Sequence, residues 1–447
     1  MPTDSPERPL CFVLMPFDRK PNPSPPPLEI DFNAVYRDLI APAIRKADME
    51  PLRADEEMSG GFIHRPMFER LILCEFAVAD LTTANANVFY ELGIRHAARP
   101  WSTVLLFAEG VRLPFDVGAL RGLRYRITDA GTPLDPGPVM DALSARLTDA
   151  RKAVDDSPLF QMLTGFRGPD LTQLTAESFH DQVRQSIQVK DRIAAAARQS
   201  VEALRKLEAE LGALTQQTSS SLLSLFYAYR SLSSWTDMIR MAGEMPDYVA
   251  STVSVQEHYA MALNRDGQSE RAERVLLDLI ERRGPSSESQ GLLGRVYKNR
   301  WQAAVKSGKT MLAQGLLQKA LDAYVRGFEI DQRDYYPGIN AVTLMEVRQP
   351  PDPRRTDLLP VVRYAVERKS RDGDPGYWGH ATLLELAVLA SDVDRAGSAL
   401  ASALAAGHEP WMTKSTADNL GLIRAAREQR GAAENWLTEI ETALRES

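Results

Sequence analysis

The chain has 447 residues, of which 44% are hydrophobic and 25% are charged, and its formal net charge is −7. This length exceeds what one hydrophobic core holds, so we expect a globular protein of several domains. The negative charge argues against general binding of nucleic acids or anionic membranes, because both repel an acidic protein.

The cysteines and the N-terminus indicate the compartment. Cys11 and Cys74 both lie in apolar runs, which predicts buried thiols in a reducing environment rather than a disulfide. No apolar run approaches the roughly 20 residues that cross a bilayer. The start MPTDSPERPL is polar and Pro-rich, unlike a secretion signal. We therefore expect a cytoplasmic protein without membrane contact, with residues 1–9 as a disordered tail.

Residues 10–128 alternate short apolar runs with amphipathic segments. The runs LCFVLMPF, MEPLRAD, FAVAD and STVLLFAE predict four strands. Three helices are predicted between them, in FNAVYRDLIAPAIRKAD, RPMFERLILCEF and ANVFYELGIRHAA. The loop PNPSPPPLEID is expected to lack regular structure because of its prolines. Strands that alternate with helices indicate an α/β domain whose parallel sheet is covered on both faces.

Residues 129–218 are predicted to be a turn-rich linker followed by a long helix over 171–215. The helix has apolar residues at the 4-3 spacing of a coiled-coil seam. Such a seam packs either on its own chain, as a connecting helix, or on a second copy in a homo-oligomer, and both readings stay open. The seam residues are Ala197, Val201, Leu204, Leu207, Leu211 and Leu214.

Residues 219–447 have helical periodicity almost throughout. In YAMALNRDGQSERAERVLLDLIERR, small Ala262 and Ala272 flank a turn at Gly267, which is the pattern of a tetratricopeptide (TPR) unit. Irregular spacing predicts an all-α, degenerate TPR-like domain. We expect Trp378 and Trp411 to anchor its core, and the segment YYPG at 335–338 to form a rigid turn with buried tyrosines.

Polar and aromatic residues follow the predicted strands at their carboxyl ends. In open parallel sheets these ends share one edge, where ligands bind. The sequence therefore predicts that one crevice brings these residues together. The candidate substrate-binding residues are Phe17, Arg53, Asp55, Asp80, Asn85 and Asn87, and the candidate catalytic residue is Glu91.

Glu91 lies near the start of its predicted helix, among apolar neighbours. The helix dipole favours the ionised carboxylate, whereas desolvation raises its pKa. A poorly solvated carboxylate suits attack on the anomeric carbon of an N-glycosidic bond. Nicotinamide leaves NAD from a cationic nitrogen and needs no second acid. Phe17 would stack on a base, and Asn85 or Asn87 would hold ribose hydroxyls or a base edge.

Each of these residues also has a purely structural explanation. Asp80 and Asn85 suit helix or turn caps, Phe17 suits a core aromatic, and Arg53 with Asp55 suits a surface pair. Glu91 would then be a carboxylate that serves only the helix dipole.

The motif MPF followed by ADLT…NANVFYELGIRHA resembles the nucleoside 2-deoxyribosyltransferase-like fold and the related Toll/interleukin-1 receptor (TIR) domains. The resemblance covers about residues 10–128 and implies a flavodoxin/TIR-like sheet. It also implies that Glu91 is the glycosyl nucleophile and that Asp80 helps to bind substrate. Many transferases have an acidic residue in the preceding loop, where this chain has Asn85 or Asn87. This difference favours NAD cleavage or simple binding over transfer between deoxynucleosides.

The strings GLLGRVYKNRW, YVRGFEIDQRDYYPGINAVTL and GYWGHATLLELAVLASDVDRA resemble the TRAF-binding, TPR-like region of apoptosis signal-regulating kinases. This resemblance covers about residues 160–445 and implies a protein partner. No kinase motifs occur, because the chain lacks a Gly-rich loop, HRD and DFG.

Three hypotheses follow. The α/β domain hydrolyses the N-glycosidic bond of NAD or a related nucleotide, or it senses a nucleotide without cleaving it, or it is part of a scaffold with an empty crevice. We expect no cofactor beyond this nucleotide. We also expect no metal site, because the six histidines lack ligand spacing with cysteine or acidic residues.

Overall fold

The structure is a computed structural model in which the chain divides into two compact units, Met1–Ala228 and Tyr229–Ser447. None of the helices it describes combines the length and apolar character needed to span a bilayer. The described residues are 8–22, 28–53, 64–111, 113, 117, 122–152, 154, 156–163, 165–166, 168, 188–371, 375–432 and 434–447.

The first unit is built on a six-stranded sheet of order β4-β1-β5-β6-β7-β8. Every neighbouring pair is parallel except β7 with β8, which is antiparallel. The strands of this sheet are β1 Leu10–Leu14, β4 Glu50–Arg53, β5 Phe76–Asp80, β6 Thr103–Ala108, β7 Gly122–Ile127 and β8 Pro133–Leu134. Strands β2 Arg19–Asn22 and β3 Leu28–Asp31 form a separate two-stranded sheet.

The segment before α1 contains the end of the predicted tail and the predicted Pro-rich loop. Residues 1–7 of the predicted tail lie outside the described residues, but Arg8 forms an ion pair with Asp48 at 2.9 Å. The Pro-rich loop is also not wholly irregular, because β2 and β3 pair as an antiparallel ribbon. Pro21 fits this ribbon because a two-stranded ribbon has only edge strands, where a missing N–H is tolerated.

Helices cover both faces of the sheet. Helix α1 consists of Phe32–Val35, a π-helical turn Tyr36–Ile40, and Ala41–Lys46. Its core includes Val13, Val78 and Leu106, and we call this side the α1 face. The opposite side, the α3 face, packs Phe12, Leu14 and Ala77 against the next two helices. These are α2, His64–Leu73, and α3, Ala86–Ala98.

The α/β core extends beyond the predicted boundary at residue 128. Helix α4, Gly137–Asp149, buries Leu143 and Leu147 in the core of the α1 face, so this segment is not a linker. The amphipathic spacing of α4 and the short strand β8 continue the fold that the first four strands began. A short helix α5, Pro158–Met162, follows.

The predicted long helix is interrupted. Its part at 171–187 lies outside the described residues, helix α6 covers 188–197, and α7 is Val201–Leu211. Ser200 begins α7 as its N-cap, because its side chain accepts a 3.1 Å hydrogen bond from Ala203 N. An Arg192–Glu210 ion pair at 2.7 Å links the two helices. The predicted seam over 197–214 therefore does not lie on one continuous helix, and a homo-oligomer stays a prediction.

The second unit is all-α, and consecutive helices pair in the manner of TPR-like repeats. The predicted repeat around Gly267 is confirmed, because Ala262 and Ala272 are fully buried on its two helices. The predicted fold class, α/β followed by all-α repeats, is therefore confirmed. Helix α8, Ser219–Ser231, contains the boundary between the two units. The helices that follow it are α9 Trp235–Glu244, α10 Asp247–Ala250, α11 Val253–Arg265, α12 Ser269–Arg283, α13 Ser287–Lys306, α14 Thr310–Ile330, α15 Tyr335–Val347, α16 Arg355–Arg371, α17 Gly376–Leu389, α18 Val393–Ala405, α19 Pro410–Gln429 and α20 Asn435–Glu446.

Two expectations for the aromatic residues of this unit are wrong. The segment predicted as a YYPG turn begins helix α15, since Asp334 caps it by accepting a 3.1 Å hydrogen bond from Tyr336 N. Trp378 and Trp411 pair with each other but are 41% and 51% exposed, so neither is a core anchor.

Candidate functional site

The strand order places a topological switch point at the carboxyl ends of β1 and β5. Strand β1 pairs with β4 on one side and with β5 on the other, with Leu14 beside Ala79. The helices that leave these strands lie on opposite faces of the sheet. Open α/β sheets of this order bind ligands in the crevice at such a point.

Phe17 and Arg53 meet at this edge, as the sequence predicted. The Arg53 guanidinium carbon lies 5.7 Å from the ring centroid of Phe17 and 4.4 Å from that of Tyr36. Both distances are within the range of cation–π contacts. Arg53 is 91% buried, so its side chain is held in place rather than free in solvent. The group presents an aromatic ring beside a fixed cation.

Asn33 completes this group from the first turn of α1. Arg53 Nη1 donates to Asn33 Oδ1 at 3.0 Å, and Asn33 Nδ2 donates to Asp18 Oδ1 at 3.1 Å. Asp18 adopts a left-handed backbone with φ of 58°, which turns the chain back toward α1. We call Phe17, Tyr36, Asn33 and Arg53 the aromatic–arginine group.

Asp80 lies at the end of β5, but its carboxylate is bonded inside the protein. Oδ1 accepts from Thr82 N at 2.9 Å and from the Thr82 hydroxyl, and Oδ2 accepts from the Tyr125 hydroxyl at 2.8 Å. Burial raises the pKa of Asp80 to about 6, and these hydrogen bonds oppose that rise. Asp80 is thus placed to support the edge of the sheet rather than to present a free carboxylate.

The Asp80 network joins three strands. Thr82 Oγ1 also accepts from Ala108 N at 3.0 Å, at the end of β6, and lies 3.0 Å from the Tyr125 hydroxyl on β7. A buried polar network of this kind is stable only when its members are satisfied. Here Asp80 accepts three hydrogen bonds, and the network fixes the ends of β5, β6 and β7 against one another.

Glu91 lies in the second turn of α3, further from the helix start than the sequence suggested, because the N-cap is Asn85. Among the described residues it has no hydrogen-bond or ion-pair partner. Burial raises its pKa to about 7, so desolvation outweighs the helix dipole, which acts mainly in the first turn. Glu91 is therefore partly protonated at neutral pH and, within the part of the chain that the structure describes, has no polar partner.

The two asparagines of the preceding loop serve mainly the helix. Asn85 Oδ1 accepts hydrogen bonds from Asn87 N at 2.9 Å and Val88 N at 3.3 Å, which makes it an N-cap. The Asn87 side chain is exposed on the first turn. The side-chain amide of Asn87 takes no part in these cap hydrogen bonds, whereas the amide oxygen of Asn85 is used by them.

Helix α3 is fixed at its other end by Arg95, which is fully buried. Arg95 donates to the carbonyl oxygens of Leu71 at 2.9 Å, Cys74 at 2.6 Å and Glu75 at 2.9 Å, where α2 ends. The last carbonyls of a helix have no intrahelical donors, and a buried guanidinium satisfies several at once. Arg95 therefore locks α3, and Glu91 with it, to the end of α2.

The structure brings some of the predicted site residues together and not others. Phe17 and Arg53 are in contact, Asp80 lies on the same α1 face, and Glu91 is carried by a helix on the α3 face. Asp55 lies outside the described residues. No group of metal-ligating side chains occurs among the residues that the structure describes.

Sequence reasoning missed four residues of this edge. Tyr36 and Asn33 carry a signal, because they lie in the first turns of the helix that follows β1. Tyr125 carries another, since it lies between Arg124 and Arg126 in GLRYRI, where apolar and charged residues alternate as in a half-buried strand. The only sequence signal for Thr82 is that a hydroxyl two residues after Asp80 can donate a hydrogen bond to that carboxylate.

Fold and site together define a two-part protein: an α/β unit with a polar crevice edge on its sheet, and an all-α repeat unit. Residues 88–441 match the MAP3K TRAFs-binding domain family, and the chain belongs to this family. The match begins in α3 and includes Glu91.

Two curated relatives are mitogen-activated protein kinase kinase kinases. The chain is similar to nsy-1 of Caenorhabditis elegans, with 29% identity over 222 residues, 44% of this chain and 14% of that protein. It is also similar to mitogen-activated protein kinase kinase kinase 15 of Mus musculus, with 26% identity over 219 residues, 46% of this chain and 16% of that protein. The chain thus matches less than a fifth of either relative.

Two solved structures that align with part of this chain are tetratricopeptide repeat proteins. A tetratricopeptide repeat protein from Parabacteroides merdae aligns with a TM-score of 0.34 and 9% identity, over 60% of this chain and 99% of that one. A thermophilic TPR protein from Thermus thermophilus aligns with a TM-score of 0.28 and 17% identity, over 42% of this chain and 97% of that one. The repeat assignment rests on the helix pairs themselves.

Proposed function

We propose that this is a cytoplasmic signalling protein whose α/β unit binds a nucleotide and hydrolyses its N-glycosidic bond, while the repeat unit recruits a protein partner. The observation that carries the enzymatic part is Glu91: a half-buried carboxylate, unpaired among the described residues, on the helix that follows the switch point. A purely structural carboxylate gains nothing from such desolvation. NAD is the favoured substrate.

Hydrolysis of the N-glycosidic bond of NAD requires one nucleophilic carboxylate and no second acid to protonate the leaving group. A Glu91 oxygen bonds to the anomeric carbon as the glycosidic C–N bond breaks, and the bonding pair leaves with the nicotinamide nitrogen, which becomes neutral. Water then attacks the anomeric carbon, and Glu91 leaves as a carboxylate with loss of a proton to solvent. With its pKa at about 7, a large fraction of Glu91 is ionised at neutral pH.

The aromatic–arginine group supports nucleotide recognition. Phe17 offers a ring face for a base, and the buried Arg53 guanidinium holds a positive charge beside that ring. Asn87 is the remaining candidate for a ribose hydroxyl. The resemblance of MPF and ADLT…NANVFYELGIRHA to transferase and TIR-type domains supports the same assignment.

A nucleotide sensor without cleavage is the second candidate, and two observations favour it. Asp80 and Asn85 Oδ1 are bonded within the protein, so the crevice has fewer free groups than a transferase site. The loop before Glu91 also lacks a second acid. Both observations are equally compatible with NAD, whose leaving group needs no protonation.

The test compares wild-type protein with Glu91→Gln on NAD and a panel of nucleosides and nucleotides. Base release is followed by reversed-phase chromatography, and binding by the shift in thermal unfolding. Release by wild type alone supports the enzyme. Equal ligand-dependent stabilisation of both proteins, without release, supports the sensor. Glu109→Gln, at an exposed glutamate of the same unit, is the matched control.

The recruiting role rests on membership of the TRAFs-binding family. Its test is co-purification of defined TRAF-type partners with the full chain, in wild-type and Glu91→Gln forms. Recruitment that is independent of Glu91 separates the two halves of the proposal. A folded chain that retains no partner overturns the recruiting half.

A further inference from the structure

The repeat unit contains a cavity of about 710 Å³ between α13, α14 and α19, and residues 347–349 also line it. We call it the α13–α14–α19 cavity. Its volume lies within the ~300–1,000 Å³ range of ligand sites. The apolar part of its lining includes Trp301, Leu321 and Leu422. The cavity therefore offers a place for apolar side chains.

The described lining of the cavity carries positive charge, whereas the whole chain has a negative net charge. Its described lining residues include Lys306 and Arg348 but no aspartate or glutamate, in a chain whose net charge is −7. Arg348 forms an ion pair with Asp352 at 3.2 Å, whereas Lys306 has no ion pair among the described residues. An occupant with a carboxylate next to its apolar groups would complement this lining.

The polar remainder is mostly amide. Glutamines at five positions line the cavity, and each amide both donates and accepts hydrogen bonds, which suits a peptide backbone. The apolar surface continues from Val305 of the lining, which is 54% exposed, to Met311 and Leu312 at the start of α14, which are 83% and 49% exposed. Such an extended apolar surface exceeds the needs of a small molecule.

We propose that the α13–α14–α19 cavity binds an acidic, apolar peptide segment of a partner protein, with apolar side chains in the cavity and a carboxylate near Lys306. This inference deepens the proposed function, because it rests on the recruiting role of the repeat unit. It names the chemistry of the segment that the unit recognises.

The probe is a random 12-residue peptide library displayed on phage and selected on the full chain. Phage are first depleted on the variant Ala425→Trp, whose exposed position lets the new ring fill the cavity without entering the core. The enriched sequences are expected to combine aspartate or glutamate with leucine, phenylalanine or similar residues. Enrichment of basic sequences, or no enrichment, overturns the proposal.

Binding of an enriched, fluorescein-labelled peptide is then measured by anisotropy. Lys306→Glu is expected to raise the Kd of the peptide by about 10-fold or more, and Ala425→Trp is expected to abolish binding. The controls Lys414→Glu and Ala401→Trp, at exposed positions outside the cavity, should bind as wild type. Circular dichroism establishes that all four variants are folded. Unchanged binding by folded Ala425→Trp overturns the proposal.

Analytical ultracentrifugation tests the alternative that a second copy of the chain, rather than a partner's peptide segment, occupies the cavity. If wild type self-associates and Ala425→Trp is monomeric, the occupant is a second copy of the chain, and the peptide proposal is wrong. If Ala425→Trp still co-purifies a TRAF-type partner, recruitment uses another surface. In that case the cavity proposal fails while the recruiting function stands.

Discussion

The Tyr125 hydroxyl donates a 2.8 Å hydrogen bond to Asp80 Oδ2 across the width of β6. Both side chains are buried, and Thr82 occupies the other carboxylate oxygen. Asp80, one of the six residues predicted to bind substrate, therefore organises the sheet edge from inside. Its effect on any ligand is indirect, through the positions of the loops that follow β5 and β6.

Replacing Tyr125 with phenylalanine should destabilise the α/β unit by about 1.5–3 kcal/mol at pH 7.5, because a buried carboxylate loses a donor. The loss should be smaller at pH 4.5. Burial raises the pKa of Asp80 to about 6, so the folded state binds a proton more tightly than the unfolded chain, and the stability from this proton is lost as pH rises from about 4 to 6.

Urea unfolding at the two pH values measures this difference. Tyr90→Phe is the control, because Tyr90 is 58% exposed. An equal loss for Tyr125→Phe at both pH values would contradict the assigned role of Asp80.

Glu91→Gln should stabilise the folded protein above neutral pH. Burial raises the Glu91 pKa from 4.5 to about 7, so ionisation at high pH costs folding free energy that glutamine avoids. The gain over wild type should grow between pH 5 and pH 8 to about 1–2 kcal/mol, after allowance for the exposed part of the side chain. Thermal unfolding across this range tests it, with Glu109→Gln as control. A gain that does not vary with pH would show that Glu91 is not desolvated.

The sequence predicted the α/β architecture well and the chemistry of its edge less well. Short apolar runs alternating with amphipathic segments specify buried strands and covering helices, so β1, β4, β5 and β6 were all predicted. Strand β7 was missed because its burial is partial and only Tyr125 is fully enclosed. The contact of Phe17 with Arg53 followed from topology, since Phe17 follows β1, Arg53 ends β4, and these two strands pair.

Side-chain partners are what sequence reasoning lacked. Asp80 looks like a ligand residue until Tyr125, 45 positions later, is brought beside it. The 4-3 spacing over 197–214 likewise predicted one helix, but Ser200 offers a local cap that competes with helix continuation. Trp378 and Trp411 were expected to anchor the core, but both lie in the first turn of their helices and are exposed.

Arg95→Met should destabilise the protein by about 3 kcal/mol or more, since several buried carbonyls lose their donor. Arg95→Lys should recover little of this, because an ammonium cannot reproduce the planar fork of a guanidinium. The midpoint of thermal unfolding is the measurement. Arg198→Met, at an exposed arginine, is expected to leave it unchanged. Full recovery by lysine would mean that charge alone, rather than geometry, is required.

Two glycines of the repeat unit should respond in opposite directions to alanine. A Cβ at Gly294 would lie 2.8 Å from the Tyr324 ring, where α13 and α14 approach closely, so Gly294→Ala should cost about 1–3 kcal/mol. A Cβ at Gly397 on α18 meets nothing within 4 Å among the described residues, so Gly397→Ala should add about 0.5–1 kcal/mol. Denaturant midpoints compare them. Equal effects would rule out close packing at Gly294.

The Arg95 contacts also constrain how the first unit can be regulated. Glu91 is one helical turn before Arg95, and Arg95 is bonded to the end of α2 and to the chain entering β5. Rotation or sliding of α3 alone would break buried hydrogen bonds at several atoms simultaneously. Any signal that changes the reach of Glu91 must therefore move α2 and α3 as one rigid body, or leave both in place and change only what enters the crevice.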